Sequence, residues 1–300
     1  MSASSPKLVK RRLKASLFLF FIVLFLCSCG SSASTSLWQR QVERGWKSGF
    51  TPLDLAAPPF RLAGLLKGSG GTDLAVYLEG DGRAVVGGRP SQDPTPVQAQ
   101  SLELAFLDPS PLVLYLARVG QFMPAYAGPQ YQTYWSNGRL APEVVEAASR
   151  AIDEVKSKTG ATRIHLVGFS GGGGLAVLLA ESRSDVVSLV TVAGLLDTEW
   201  WVQNSGWLPL TGSLNPASRA SSIVLIPQIH FYGLNDRIIT PDMSLRFSKL
   251  APFQSFSREG LALDHYRGWT AAWPNLLKNR VIPLRSLALP AGAEASGPTI

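Results

Sequence analysis

The chain has 300 residues, 46% of them apolar and 16% charged, which is enough hydrophobic mass for one packed domain and too little charge for a disordered scaffold. Its formal charge of +7 is unevenly spread: Lys7, Lys10, Arg11, Arg12 and Lys14 all lie near the start, and no acid precedes Glu43. Taken from +7, those five cations leave +2 on the remainder, which removes the main support for nucleic acid as a partner. The two cysteines are Cys27 and Cys29, so the bulk of the chain can form no internal disulfide and must be stabilised by its core.

In chain order, the cations are followed by an uninterrupted apolar run from Leu17 to Leu26 and then by Cys-Ser-Cys-Gly-Ser-Ser, the pattern of a secretory leader. The run is shorter than the roughly 20 residues that a bilayer-spanning helix needs. Leu26-Cys27-Ser28-Cys29 resembles the lipobox of bacterial lipoproteins, with a Leu three before the modified Cys and a small residue directly before it. That resemblance implies a signal peptide over 1–28, lipidation of Cys29 as the new N-terminus, and a lipid-anchored place in a bacterial cell envelope. In a Gram-negative cell, Gly30 after the lipidated Cys points to the outer membrane. Residues 29–55 read as a tether and N-terminal extension, the Gly-Ser-Ser-Ala-Ser-Thr-Ser tract (30–36) being the flexible part.

Over 56–282 strands alternate with helices. Stretches 60–66 and 73–78 read as strands joined by Gly-Ser-Gly-Gly, which predicts an antiparallel hairpin at the front of a sheet. A Pro-interrupted loop (90–96) and a helical stretch (97–106) precede an apolar strand at 112–116. In the next helix Pro142 occupies the first turn, Val144, Val145, Ala148, Ile152 and Val155 share one face, and Gly160 stops it. Further strands are expected at 163–169, 186–192, 229–232 and 254–258. The order predicts an α/β fold: a mostly parallel central sheet with helices on both faces. Residues 195–222 break the alternation and read as a small cap insertion, while 283–300 lose hydrophobic periodicity and read as a disordered tail.

The most informative stretch is Leu-Val-Gly-Phe-Ser-Gly-Gly-Gly-Gly at 166–174. An apolar strand runs through Gly-x-Ser-x-Gly into a helical pattern, which sets Ser170 on a tight strand-to-helix turn, and Gly168 and Gly172 leave room where side chains would collide. A phosphate cradle would also use glycines at a helix start, but would carry a Lys after them, and none is present. A serine hydroxyl becomes a nucleophile only with a base to take its proton and a third group to fix that base. Of three histidines, His165 and His230 lie inside strands and read as core residues, whereas His265 stands in Leu-Asp-His-Tyr-Arg-Gly-Trp, a polar loop after the last strand. For the acid, Asp236 lies in Gly-Leu-Asn-Asp-Arg-Ile-Ile-Thr-Pro (233–241), directly after a predicted strand; Asp264 and Asp197 compete with it.

These motifs, in the order Ser170, Asp236, His265, resemble the α/β-hydrolase superfamily over roughly residues 60–278. The resemblance implies acyl transfer by a serine hydrolase acting on an ester, thioester or amide, esterase- or lipase-like, with neither metal nor organic cofactor. It also implies an oxyanion hole made by the N–H of Gly171 and a second N–H from Leu-Glu-Gly-Asp-Gly (78–82), by position Asp81, with Gly80 or Gly82 as alternatives. Carboxylates at 79 and 81 would oppose an oxyanion unless turned away or paired with an Arg such as Arg83. Aromatic residues cluster at 122–135 and in the cap, and Trp200, Trp201 and Tyr134 are expected to face a small acyl or aromatic substrate. The rival reading is a non-catalytic envelope binding lipoprotein on a hydrolase scaffold, which the acidic loop favours. The oligomeric state is not legible.

Overall fold

Strands that are apolar on both faces must be covered on both faces. The computed structural model, which describes residues 33–250 and 256–287, does this with an eight-stranded sheet between two layers of helices. Helix α1 (Ala33–Lys47) leads into strands β1 (Phe50–Ala57), β2 (Phe60–Lys67) and β3 (Asp73–Leu78), then a small ribbon of β4 (Val85–Val86) and β5 (Arg89–Pro90). Helix α2 (Gln100–Phe106), β6 (Val113–Leu116), α3 (Pro142–Thr159), β7 (Arg163–Phe169), α4 (Gly171–Ser182) and β8 (Val186–Val192) follow. The chain continues with α5 (Thr198–Ser205), β9 (Gln228–Gly233), α6 (Pro241–Leu250), β10 (Phe256–Leu261), α7 (Trp269–Leu276) and α8 (Ile282–Ser286).

The sheet order is β1-β2-β6-β3-β7-β8-β9-β10. From β6 to β10 every neighbouring pair is parallel, and the antiparallel β1 and β2 close one edge. Alternate side chains divide the core. Leu74, Val76 and Leu78 of β3 pack with α3, α4, α6 and the segment after β8, while Ala75 and Tyr77 pack with α1, α2, α7 and α8. Each large side chain so buried contributes about 1.5–3 kcal/mol, and the two layers fix the sheet on which the site stands.

The expected 60–66/73–78 hairpin does not form. β6 lies between the two strands, antiparallel to β2 and parallel to β3. β3 is a central strand with five consecutive buried residues, Leu74 to Leu78. Its neighbours arrive from distant parts of the chain, a pairing that turn chemistry cannot encode. The hairpin at this edge is β1–β2, closed by Pro58-Pro59 with Ala57 opposite Phe60.

The boundaries also differ from expectation. α1 begins at Ala33, inside the tract read as tether; it buries Val42 on the second core face and carries Arg44, which pairs with Glu103 at 2.6 Å. β1 then adds an edge strand within the segment read as an extension. At the other end α8 continues to Ser286, burying Leu284 and pairing Arg285 with Asp108 at 2.8 Å. A five-residue helix with one buried side chain leaves no periodic trace in the sequence. The leader, Cys29 and the tail beyond 287 lie outside the described residues. No helix among the described residues is long and apolar enough to cross a membrane.

Candidate active site

β7 ends at Phe169 and α4 begins at Gly171, so Ser170 makes the turn alone, with φ 52° and ψ −121°. A non-glycine residue held there stores on the order of 1–3 kcal/mol of strain. Three backbone hydrogen bonds hold it: the Ser170 N–H donates to the Val192 carbonyl (3.0 Å), and the Ser170 carbonyl accepts from the N–H groups of Gly173 and Leu195 (both 2.9 Å). The flanking glycines are steric necessities. A Cβ on Gly168 would overlap the Gly172 carbonyl, and one on Gly172 would overlap the Leu78 carbonyl.

The loop after β10 brings His265 over this turn. Its Nε2 lies 3.0 Å from Ser170 Oγ and its Nδ1 lies 2.8 Å from Asp236 Oδ2. The other Asp236 oxygen accepts the N–H groups of Ile238 (2.8 Å) and Ile239 (2.9 Å), which locks the carboxylate in the loop after β9. A carboxylate only accepts, so the Nδ1 proton belongs to the Asp236 contact and Nε2 is left to accept from the serine hydroxyl. Both Asp236 and His265 are buried, and the Phe169 and Tyr266 rings flank the imidazole at 5.3 and 4.6 Å.

The competing residues have other work. Asp264 accepts the N–H groups of Tyr266 (2.9 Å) and Arg267 (2.6 Å), and Asp197 caps α5 through the Trp200 N–H (3.0 Å) and pairs with Arg246 (2.7 Å). His230 bonds Thr191 and Gln228, and burial pushes its imidazole down to about 3, so it is a neutral core group. His165 lies between Ser188 Oγ (2.8 Å) and Asp73 (2.9 Å), a second array of the same three residue types. Ser188, however, is a fully buried residue within β8, with no opening onto the Ser170 cleft.

The loop after β3 closes over Ser170 from the other side. Gly80 stands against Phe169 and Ser170, where a Cβ would meet Ser170 Cβ at 3.3 Å. Its N–H donates to Glu79 Oε1 (2.9 Å), whereas the N–H groups of Asp81 and Gly171 have no hydrogen-bond partner among the described residues. The Asp81 carboxylate is gripped by Arg118 (3.3 Å) and Arg139 (2.8 Å). Burial would raise its pKa, but the charges of Arg139 and then Arg118 outweigh that and hold it below the usual range. The partner expected from the sequence, Arg83, is exposed at the cleft rim and makes no such pair; the two that do are far away in the chain and carry no local signal. Asp81 also explains Gly171, because a Cβ there would overlap its carboxylate. Burial pushes Glu79 up to about 7; its Oε1 accepts from Gly80 and Ser101 (3.3 Å), and its Oε2 has no partner among the described residues.

These residues floor a cleft of about 880 Å3, within the range of small-molecule sites. Trp201 forms one wall, its Nε1 donating to the Ile238 carbonyl (2.8 Å) and its ring stacking on Trp207 at 5.7 Å. Two expected substrate contacts are misplaced. Tyr134 packs edge-on against Phe60 at 4.8 Å, and Trp200 packs on the first core face; neither lines the cleft. Consecutive residues on a helix point about 100° apart, and here the helix turns Trp201 to the cleft and Trp200 to the core. Trp207, Tyr266 and Arg139 line it instead. Trp207 belonged to the aromatic cluster noticed in the cap, but nothing local separated it from Trp200.

A serine on a strained turn at the carboxyl edge of a mostly parallel sheet, covered by helices on both faces, makes this an α/β-hydrolase. Residues 98–259 match the model of the FSH1 serine hydrolase family, and the chain belongs to that family. The matched region contains Ser170 and Asp236; the 78–82 loop and His265 fall outside it. No curated protein matches the chain by sequence. Among solved structures, Est1E from Butyrivibrio proteoclasticus is similar with a TM-score of 0.56 at 11% identity, over 78% of this chain and 99% of that one. A membrane phospholipase A described as a bacterial virulence factor gives 0.57 at 17% identity, over 90% and 99%. The acylaminoacyl peptidase of Pyrococcus horikoshii gives 0.59 at 13% identity, over 79% of this chain and 41% of that one. At such identities the likeness is one of fold.

Proposed function

We propose that this serine hydrolase cleaves carboxylic esters through an acyl-enzyme formed on Ser170. The observation that carries the proposal is the unbroken hydrogen-bond chain from Ser170 Oγ through His265 to Asp236, at 3.0 and 2.8 Å. His265 Nε2 takes the hydroxyl proton as Ser170 Oγ bonds to the ester carbonyl carbon, and Asp236 stabilises the imidazolium. The N–H groups of Gly171 and Asp81 stabilise the oxyanion, the arrangement expected to contribute most to the rate. Collapse expels the alcohol, which takes the proton from His265; water then attacks the acyl-enzyme by the same steps in reverse and releases the acid.

The acidic loop that favoured a purely binding role loses its force, because Asp81 is neutralised by two guanidinium groups and Glu79 faces Ser101 and the Gly80 N–H. The test is labelling by a fluorophosphonate probe together with hydrolysis of p-nitrophenyl esters. Ser170→Ala should abolish labelling and lower turnover by about 10⁴ to 10⁶. Near-normal hydrolysis by that variant would remove Ser170 from the mechanism.

The proposal includes a lipid anchor at Cys29 in a bacterial cell envelope, supported by the sequence of residues 1–32, which lie outside the described residues. Incorporation of labelled palmitate, lost on Cys29→Ala, is the expected result.

A further inference from the structure

The rim of the cleft carries one sign of charge. Arg83 follows the oxyanion loop, Arg237 follows Asp236 directly, and Arg267 stands two residues after His265; all three are exposed and all three line the cleft. None of them forms an ion pair among the described residues. The carboxylate of Asp264 lies near Arg267 and offsets part of its charge, but it accepts the N–H groups of Tyr266 and Arg267 and does not line the cleft. Beneath the rim, Arg118 and Arg139 share the single charge of Asp81. The carboxylates of the lining are Asp81 and Glu79, both on the floor, and Glu79 is buried. Exposed like charges brought to one opening by three separate loops repel each other, and a solvated surface mixes signs instead. An anion seated among them would relieve that repulsion.

Beside this charge the cleft has an apolar wall, with Gln98, Asn204 and Ser205 as its other polar lining. Val85, Arg139, Trp201 and Trp207 are shared with a neighbouring groove of about 450 Å3, whose other walls include Pro90, Leu208, Pro209 and Leu210. We propose that the substrate is an anionic amphiphile: an acyl ester whose chain lies along the Trp201–Trp207 wall towards this groove and whose alcohol side carries a phosphate held by Arg83, Arg237 and Arg267. This assignment rests on the reading of Ser170 as the nucleophile of an esterase. Guanidinium groups suit the task because they bind phosphate oxygens through paired N–H donors.

The experiment compares kcat/KM for three lauroyl esters below their micellar concentrations: lysophosphatidylglycerol, zwitterionic lysophosphatidylcholine and uncharged monolauroylglycerol. A soluble arm uses butyrylglycerol 3-phosphate beside monobutyrylglycerol. The anionic ester should exceed its uncharged counterpart about tenfold, and the excess should shrink as salt is added. Preference confined to the lauroyl pair identifies a lipid headgroup as the source of the phosphate, and preference kept by the butyryl pair identifies a soluble phosphorylated ester. Alanine at Arg83, Arg237 or Arg267 should each lower the anionic-to-neutral ratio about two- to fivefold, and Lys, which keeps the charge but not the paired donors, should restore only part of it. Arg150→Ala, on the outer face of α3, should not move the ratio. Equal or faster hydrolysis of the uncharged esters, with p-nitrophenyl butyrate still cleaved, overturns this assignment and leaves the esterase reading intact. Failure to cleave any of these esters, p-nitrophenyl butyrate included, removes both.

Discussion

Replacing Glu79 by Gln should make the protein more stable at alkaline pH and change little at acid pH. Its carboxyl is fully buried beside the oxyanion loop, and burial pushes it from the usual range up to about 7. A carboxyl raised in the folded state binds its proton more tightly there than in the unfolded chain. Its contribution is therefore fully present below the unfolded value and is lost as pH rises through about 7. Integrated from about pH 5 to about pH 8, that loss amounts to roughly 2–3 kcal/mol. Gln keeps an oxygen to accept from Gly80 and Ser101, and its amide group can donate to the buried Tyr115 hydroxyl that lies beside the Glu79 carboxyl. His230, depressed to about 3, works in the opposite sense: its contribution is present above its unfolded value and fades as pH falls. That effect is common to parent and variant and cancels in their difference. Urea denaturation of both proteins at the two pH values gives the measurement. A difference in unfolding free energy that does not grow by at least about 1 kcal/mol from acid to alkaline conditions would falsify the account of Glu79 as a carboxyl held neutral by burial.

The orienting acid and the oxyanion loop yield two more expectations. Asp236→Asn should lower kcat/KM for a p-nitrophenyl ester by about 10⁴ by upsetting the tautomer of His265, while Asp264→Asn should leave it within a few-fold; comparable losses in both would mean that Asp236 was wrongly assigned. Gly171→Ala adds a methyl group where the Asp81 carboxylate lies, forcing Asp81 away from Arg118 and Arg139. Turnover should fall about 10²-fold or more through the displaced N–H, with stability reduced by about 3 kcal/mol through two uncompensated buried cations. Steady-state kinetics beside urea titration checks both effects, and unaltered turnover would show that the loop can move aside without consequence.

What the sequence determined by itself is whatever is enforced between near neighbours. Gly-x-Ser-x-Gly was legible because the glycines answer to clashes with backbone in the same turn and the adjoining strand, and the α/β class followed from apolar strands alternating with amphipathic helices. Helix α3 showed its proline, its stripe and its closing glycine, which adopts φ 75° at Gly160. His265 could be singled out because the other two histidines sat in apolar strands. The tertiary structure decided everything that depends on which distant segments become neighbours. It inserted β6 between β2 and β3, and it made β1 and α1 part of the domain. It turned the carboxylate of Asp236, already favoured by its place after a strand, towards His265 and that of Asp264 away, and it set Trp201 rather than Trp200 against the cleft by the rotation of one short helix. It also brought Arg118 and Arg139 to Asp81, 37 and 58 residues away. No local pattern announces such a pair, since its energy arises only when folding removes the three charges from water together.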